Sequence, residues 1–147
     1  KIHMLLVGEV RDRGIEQLAR NEQVRATIHF TGYRNDAAAL AGRCHAFVMP
    51  SVEREGLPRA AIEAMAQGVP PIVSDVGGMP ELVRHGESGL VVPPRNPRAL
   101  AEAILSLARD SGKRAAMGEK ARERIQTDFN IERTSEKIVA LFKGLVS

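Results

Sequence analysis

The chain is predicted to be an α/β protein, a Rossmann-like parallel sheet of about five strands with helices on both faces. Short apolar runs of strand length alternate with longer segments whose apolar residues recur at helical spacing. The stretch from Phe47 to Ser74, FVMPSVEREGLPRAAIEAMAQGVPPIVS, reads by itself as a buried strand, a loop, a small-residue helix and a second buried strand. Two such strands joined through a helix are the repeating unit of parallel sheets.

Taken in order, Ile2 to Val7 is an apolar run with Gly8 behind it, read as a central parallel strand entering a turn. Val10 stands two positions beyond Gly8, so no dinucleotide fingerprint is claimed there. A helix over about Gly14 to Arg20 follows, weakly patterned by Ile15, Leu18 and Ala19, and Thr27 to Thr31 alternates as the next strand. Gly32, Tyr33 and Arg34 then lie at the carboxyl edge of the sheet, where open α/β folds bind ligands. Asn35 or Asp36 caps the next helix, which turns Ala38, Leu40, Ala41 and Cys44 to the sheet and ends near His45.

Beyond Ser74, Asp75 to Pro80 reads as a glycine-bearing loop and Pro80 to Arg84 as one helical turn with Glu81 near its start. His85 to Gly89 turns into a last strand, Leu90 to Val92. Asn96 caps a helix with Pro97 at its first position, and Leu100, Ile104, Leu107 and Ala108 share one face. A helix near Lys113 to Gln126 carries Met117, Ala121 and Ile125 inward, with the charges from Glu119 to Arg124 read as a solvated face. After a linker at Thr127 to Asn130, a closing helix from Ile131 aligns Ile138, Leu141, Phe142 and Leu145 in one stripe, free to pack locally or on another domain.

Composition narrows the function classes. With 147 residues, 44% hydrophobic and 27% charged, the chain suits one core and one domain. No apolar run approaches the ~20 residues of a membrane span, and no signal peptide pattern opens the chain. The start at Lys1, within a strand-like run, leads us to expect a portion of a longer protein. Cys44 is the single cysteine, which excludes an internal disulfide and fits a reducing compartment. The net charge of +3 comes from dispersed side chains with few aromatics to stack bases, so no nucleic-acid partner is expected. A modest positive field suits an anionic ligand or an anionic membrane surface. Histidines 3, 29, 45 and 85 show no metal-ligand spacing, and no Asp-x-Asp motif occurs, so no metal is expected.

The functional reading centres on the helix over about Pro58 to Gln67. Pro58 fits the first helical position, and Gly68 with Pro70 and Pro71 gives the stop. Leu57, Ala60, Ala61, Ala64 and Met65 make it apolar on most sides, leaving Glu63 as a carboxylate on a mostly buried helix, which is expensive without a partner. Pattern alone leaves two readings open. Either Glu63 sits on an exposed edge and Glu55 answers the helix dipole, or a phosphate-bearing ligand docks at the helix start. There the amides of Arg59 and Ala60 lack intrahelical acceptors, and the ligand reaches Glu55 with one end and Glu63 with the other. Eight helical residues span roughly 12 Å, more than the about 5 to 9.5 Å that separates paired glycosidase carboxylates. The two acids therefore do not straddle one bond.

The Glu55-x7-Glu63 pair within EGLPRAAIEAMAQGVPPIVSDVGGMPELV, the preceding FVMPS and the later HGESGLVVP closely resemble the signature of the retaining, nucleotide-sugar-dependent glycosyltransferases of family 4, group 1, with the GT-B fold. The resemblance covers nearly the whole chain. It implies that Glu55 contacts the transferred sugar, that Glu63 binds the ribose hydroxyls and that the amides of Arg59 and Ala60 hold the diphosphate. Gly56 and Leu57 would lie along the donor, with the Leu57 N–H near the sugar, and Tyr33 and Arg34 would neighbour the base. It also implies a metal-independent transfer from a nucleoside diphosphate sugar, a cytoplasmic setting reaching to the membrane surface, and an acceptor glycan, lipid or small molecule held mainly by a separate N-terminal domain. Relatives carry Asp where His45 stands and often Val where Pro71 stands.

In that family the donor-binding domain begins one strand and helix earlier, with a segment that supplies an Arg and a Lys to the diphosphate. No counterpart is found here, so the chain is expected to be the donor-binding half without its first strand and helix, inactive in isolation. In the order 3-2-1-4-5-6 the absent strand is central, and its loss would leave a gap unless the sheet closes or another segment fills it. The alternatives are a nucleotide-sugar-binding module without catalysis and a GT-B sugar-nucleotide epimerase.

Overall fold

The computed structural model describes residues 1–10, 13–23, 27–53 and 55–146. The elements run β1 (Met4–Val7), α1 (Arg13–Ala19), β2 (Ile28–Gly32), α2 (Ala37–Ala41), β3 (Phe47–Met49), α3 (Arg59–Ala66), β4 (Pro71–Ser74), α4 (Met79–Leu82), β5 (Leu90–Val92), α5 (Pro97–Arg109), α6 (Ser111–Asp128) and α7 (Ile131–Val146). The five strands pair in parallel in two sheets, β1-β2 and β3-β4-β5. The chain divides into two compact units, Lys1–Leu40 and Ala41–Ser147. Among the described residues no helix is long and apolar enough to cross a membrane.

In the first unit, β1 aligns Met4 with Ile28 and Leu6 with Phe30 of β2. The apolar run of β1 was expected to be buried as a central strand. Instead Met4, Leu5 and Val7 are exposed, because among the described residues β1 pairs with β2 alone and α1 buries only Ala19. Strand β2 lies one residue later than its alternation suggested. His3 Nδ1 and His29 Nε2 lie 3.0 Å apart on exposed stacked rings.

The second unit shows how period-two alternation sorts side chains. Val48, Ile72 and Leu90 are aligned across β3, β4 and β5, as are Met49, Val73 and Val91. The first set packs with Ala103 and Leu107 of α5 and Met117 of α6. The second packs with Ala61 and Met65 of α3, Met79 and Leu82 of α4, and Ala121 and Ile125 of α6. Helices therefore cover both faces of this sheet, and each fully buried Met, Ile or Leu contributes about 1.5–3 kcal/mol. Pro71 opens β4, a position where a missing N–H is tolerated even in the middle strand.

Several local signals act as read. The Asn96 side chain accepts from Ala99 N–H at 3.0 Å, and Pro97 takes the first position of α5. Helix α6 begins at Ser111, earlier than the expected Lys113, and Asp110, not singled out in the sequence, caps it by accepting from Lys113 N–H at 2.8 Å. Other expectations change. Helix α6 runs on through Asp128, absorbing half of the expected linker. His45 is exposed and lies beyond the end of α2, so the helix-end role read for it does not hold. Cys44 is half-buried rather than a core residue. The apolar stripe of α7, Ile138, Leu141, Phe142 and Leu145, is exposed.

Arg124 departs most from its expected place on a solvated face. Its side chain is only 12% exposed. It donates to the carbonyls of Leu82 at 2.8 Å and Glu81 at 2.6 Å, pairs with Asp128 at 2.6 Å and lies over the Phe129 ring. The short helix α4 ends with orphan carbonyls, as every helix does, and a planar guanidinium on α6 serves two of them at once.

Candidate functional site at the start of α3

Pro50 and Ser51 follow β3, and α3 begins at Arg59 after Pro58. Pro58 is the residue before the helix and not its first position, with φ −74° and ψ 114°. Its carbonyl accepts from Ala61 N–H at 3.1 Å and Ile62 N–H at 3.2 Å. A proline offers no side-chain cap, so the N–H groups of Arg59 and Ala60 meet no acceptor among the described residues, and both residues are exposed. Two open amides at the positive end of a helix favour an anion by up to about 2 kcal/mol.

Burial of α3 is narrower than its composition suggested. Ala61, Ala64 and Met65 are fully buried, whereas Ala60 and Leu57 are exposed. With only three inward positions the helix keeps an open face, and Glu63 lies on it. Its side chain is 41% exposed and stands 3.6 Å from the Arg59 guanidinium, which is 91% exposed. Glu63 is thus not a carboxylate stranded in a core, and desolvation does not demand a ligand for it. The i,i+4 pair with Arg59 is worth only a few tenths of a kcal/mol, so either side chain is free to exchange partners.

Glu55 is half-buried and held at both ends. The Ser51 hydroxyl donates to Glu55 Oε1 at 3.2 Å, and the Glu55 carbonyl accepts from Gly78 N–H at 3.0 Å. Gly56 and Leu57, which link it to the helix, are exposed. Ser51 was missed in the sequence because a serine four residues from a glutamate in a loop has no defined geometry until the loop is folded.

The remaining candidates lie in the first unit. Tyr33 is largely exposed, and Arg34 makes a two-pronged pair with Asp36, Nε to Oδ1 at 2.7 Å and Nη2 to Oδ2 at 2.6 Å. Those hydrogen bonds raise the Arg34 pKa further above its ordinary value. His85 is occupied structurally, its Nδ1 accepting from Val91 N–H at 3.0 Å. A cavity of about 200 Å³ opens at the carboxyl ends of the second sheet, lined by Pro50, Val52, Ser74, Val92, Pro93 and Leu100 among others. Neither Glu55 nor Glu63 lines it.

A family model described as glycosyl transferases group 1 matches residues 1–124. N-acetyl-alpha-D-glucosaminyl L-malate synthase of Bacillus anthracis is 33% identical over 143 residues, 97% of this chain and 36% of that protein. Among solved structures, sucrose-phosphate synthase from Thermosynechococcus elongatus is 33% identical with a TM-score of 0.83, covering 97% of this chain and 38% of that one. The Anabaena HepE protein in complex with UDP gives a TM-score of 0.90 at 24% identity, covering 97% of this chain and 41% of that one, a likeness of fold. This chain spans less than half of each of these proteins. With the family model matched over most of its length, the chain belongs to the group 1 glycosyl transferases.

Proposed function

We propose that the chain is the donor-binding half of a two-domain, family 4 retaining glycosyltransferase. The enzyme would move a sugar from a nucleoside diphosphate sugar to a glycan, lipid or small-molecule acceptor bound mainly by an N-terminal domain. The observation that carries the reading is the open start of α3, with two unused amides flanked in sequence by Glu55 and Glu63. In this reading the amides of Arg59 and Ala60 take the diphosphate, and the charge that builds on it as the glycosidic bond breaks is met by fixed N–H dipoles without a metal. Glu63 leaves Arg59 to accept the ribose hydroxyls. Arg59 is then free for the phosphate. Glu55 orients the sugar, with Gly56 and the Leu57 N–H beside it. Tyr33 and Arg34 neighbour the base.

The complex of the Anabaena HepE protein with UDP supports a uridine nucleotide as the first donor to try. A net charge of +3 suits an anionic donor and, for a lipid acceptor, a cytoplasmic membrane surface.

The test is a panel of nucleoside diphosphate sugars assayed for thermal stabilisation of the full-length protein, followed by product analysis with and without acceptor. One donor raising the melting temperature and being consumed only with acceptor is the expected result. Consumption without acceptor, yielding an epimerised sugar, would point to the epimerase instead, and stabilisation by no donor would remove the proposal.

A further inference from the structure

We infer that Gly77 and Gly78, with Ser51, are positioning residues for Glu55: together they form a seat that places the backbone and carboxylate of the sugar-facing acid. The inference rests on the donor-site reading above, in which Glu55 meets the sugar. Contacts from Gly77, Gly78 and Ser51 converge on the Glu55–Gly56 segment. The Gly78 N–H donates to the Glu55 carbonyl at 3.0 Å. A side-chain carbon added at Gly77 would fall on the Glu55 carbonyl oxygen and within 2.8 Å of the Glu55 nitrogen, and one added at Gly78 would come within 2.9 Å of the Gly56 carbonyl oxygen. The Ser51 hydroxyl holds the carboxylate itself at 3.2 Å.

The two glycines are required for different reasons. Gly77 has φ +54°, a left-handed conformation that strains any other residue, in addition to lying against Glu55. Gly78 has φ −82° and ψ 2°, a conformation open to alanine as well, so the closeness of Gly56 is what argues for glycine there. Backbone carbonyls cannot rotate aside as a long side chain can. Alanine at Gly78 must therefore displace the Glu55–Gly56 segment by several tenths of an ångström. The displaced segment includes the residues that reach the donor in the reading above. Misplacement of a reacting group by about 1 Å costs on the order of 100-fold in rate.

The experiment compares Gly78→Ala, Ser51→Ala, Ser51→Thr and Glu55→Gln in the full-length enzyme, reading kcat, donor KM, the affinity for UDP alone and the melting temperature. Gly86→Ala serves as a control for lost stability without crowding, because Gly86 is left-handed at φ +79° and an added carbon there meets nothing within 4 Å. The expected pattern is a drop in kcat of about tenfold or more for Gly78→Ala and Ser51→Ala, with UDP affinity within about twofold of the parent since the α3 amides are untouched. Ser51→Thr restores turnover and Gly86→Ala leaves it unchanged. If Glu55→Gln slows transfer but Gly78→Ala and Ser51→Ala do not, the seat is refuted while the donor-site reading stands. If Glu55→Gln transfers normally, the reading itself fails. Should Gly78→Ala fold poorly, Ser51→Ala against Ser51→Thr decides the matter.

Discussion

Replacing Arg124 by Met keeps the aliphatic stem and deletes the guanidinium that closes the end of α4. Hydrogen bonds from a charged donor are worth about 1.5–3 kcal/mol each, and Arg124 makes two to the carbonyls of Glu81 and Leu82. Glu81 is exposed, so water replaces part of its bond, whereas Leu82 is fully buried. The pair with Asp128, itself 42% exposed, adds under about 1 kcal/mol, and the approach to the Phe129 ring at 5.5 Å adds about 0.5–1 kcal/mol. These terms share one side chain and do not simply add. The expected loss is about 2–4 kcal/mol, a fall in melting temperature on the order of 10 °C. Urea unfolding followed by far-ultraviolet circular dichroism measures it, with Arg124→Lys as a second variant. An ammonium cannot serve two carbonyls and a carboxylate in one plane, so Lys recovers less than half of the loss. A Met variant within about 0.5 kcal/mol of the parent would show that water serves these carbonyls as well as the arginine does.

Glu63→Ala in the full-length enzyme is expected to weaken nucleotide binding by about 1.5–3 kcal/mol, through loss of charged hydrogen bonds, while leaving the melting temperature nearly unchanged because its pair with Arg59 is exposed; titration calorimetry with UDP checks this, and unchanged affinity removes the ribose assignment. Glu55→Gln is expected to lower turnover more than UDP affinity, read from initial rates beside the same calorimetry. Gly118→Ala sets helix propensity, a gain of about 1 kcal/mol, against overlap of the new carbon with the Gly68 carbonyl oxygen that follows α3. Overpacking should win, giving a net loss of about 1–2 kcal/mol in urea unfolding. Asn96→Ala removes the cap of α5 and should cost about 0.5–2 kcal/mol by the same assay.

What the sequence determined by itself is what depends on neighbours a few positions apart. The cap Asn96, the inward row Met117, Ala121 and Ile125, the stop after α3 and the strands Phe47–Met49 and Leu90–Val92 follow from spacing and from turn chemistry. The helix after Pro58 was likewise legible to within one residue, although Pro58 stands before it and not at its first position. Tertiary structure decided the rest. Composition cannot say which side of an alanine-rich helix meets a neighbour, so the exposure of Glu63 and Ala60 had to come from the packing of Ala61, Ala64 and Met65. The same holds for β1, whose apolar run is buried only if strands and helices lie beside it. Arg124 looked like any surface charge until a helix end more than forty residues away was placed against it. Gly77 and Gly78 looked like turn residues until the Glu55 backbone came to rest on them. Hydrogen bonds and van der Waals contact act over a few ångströms of space, and only folding decides which distant residues come that near.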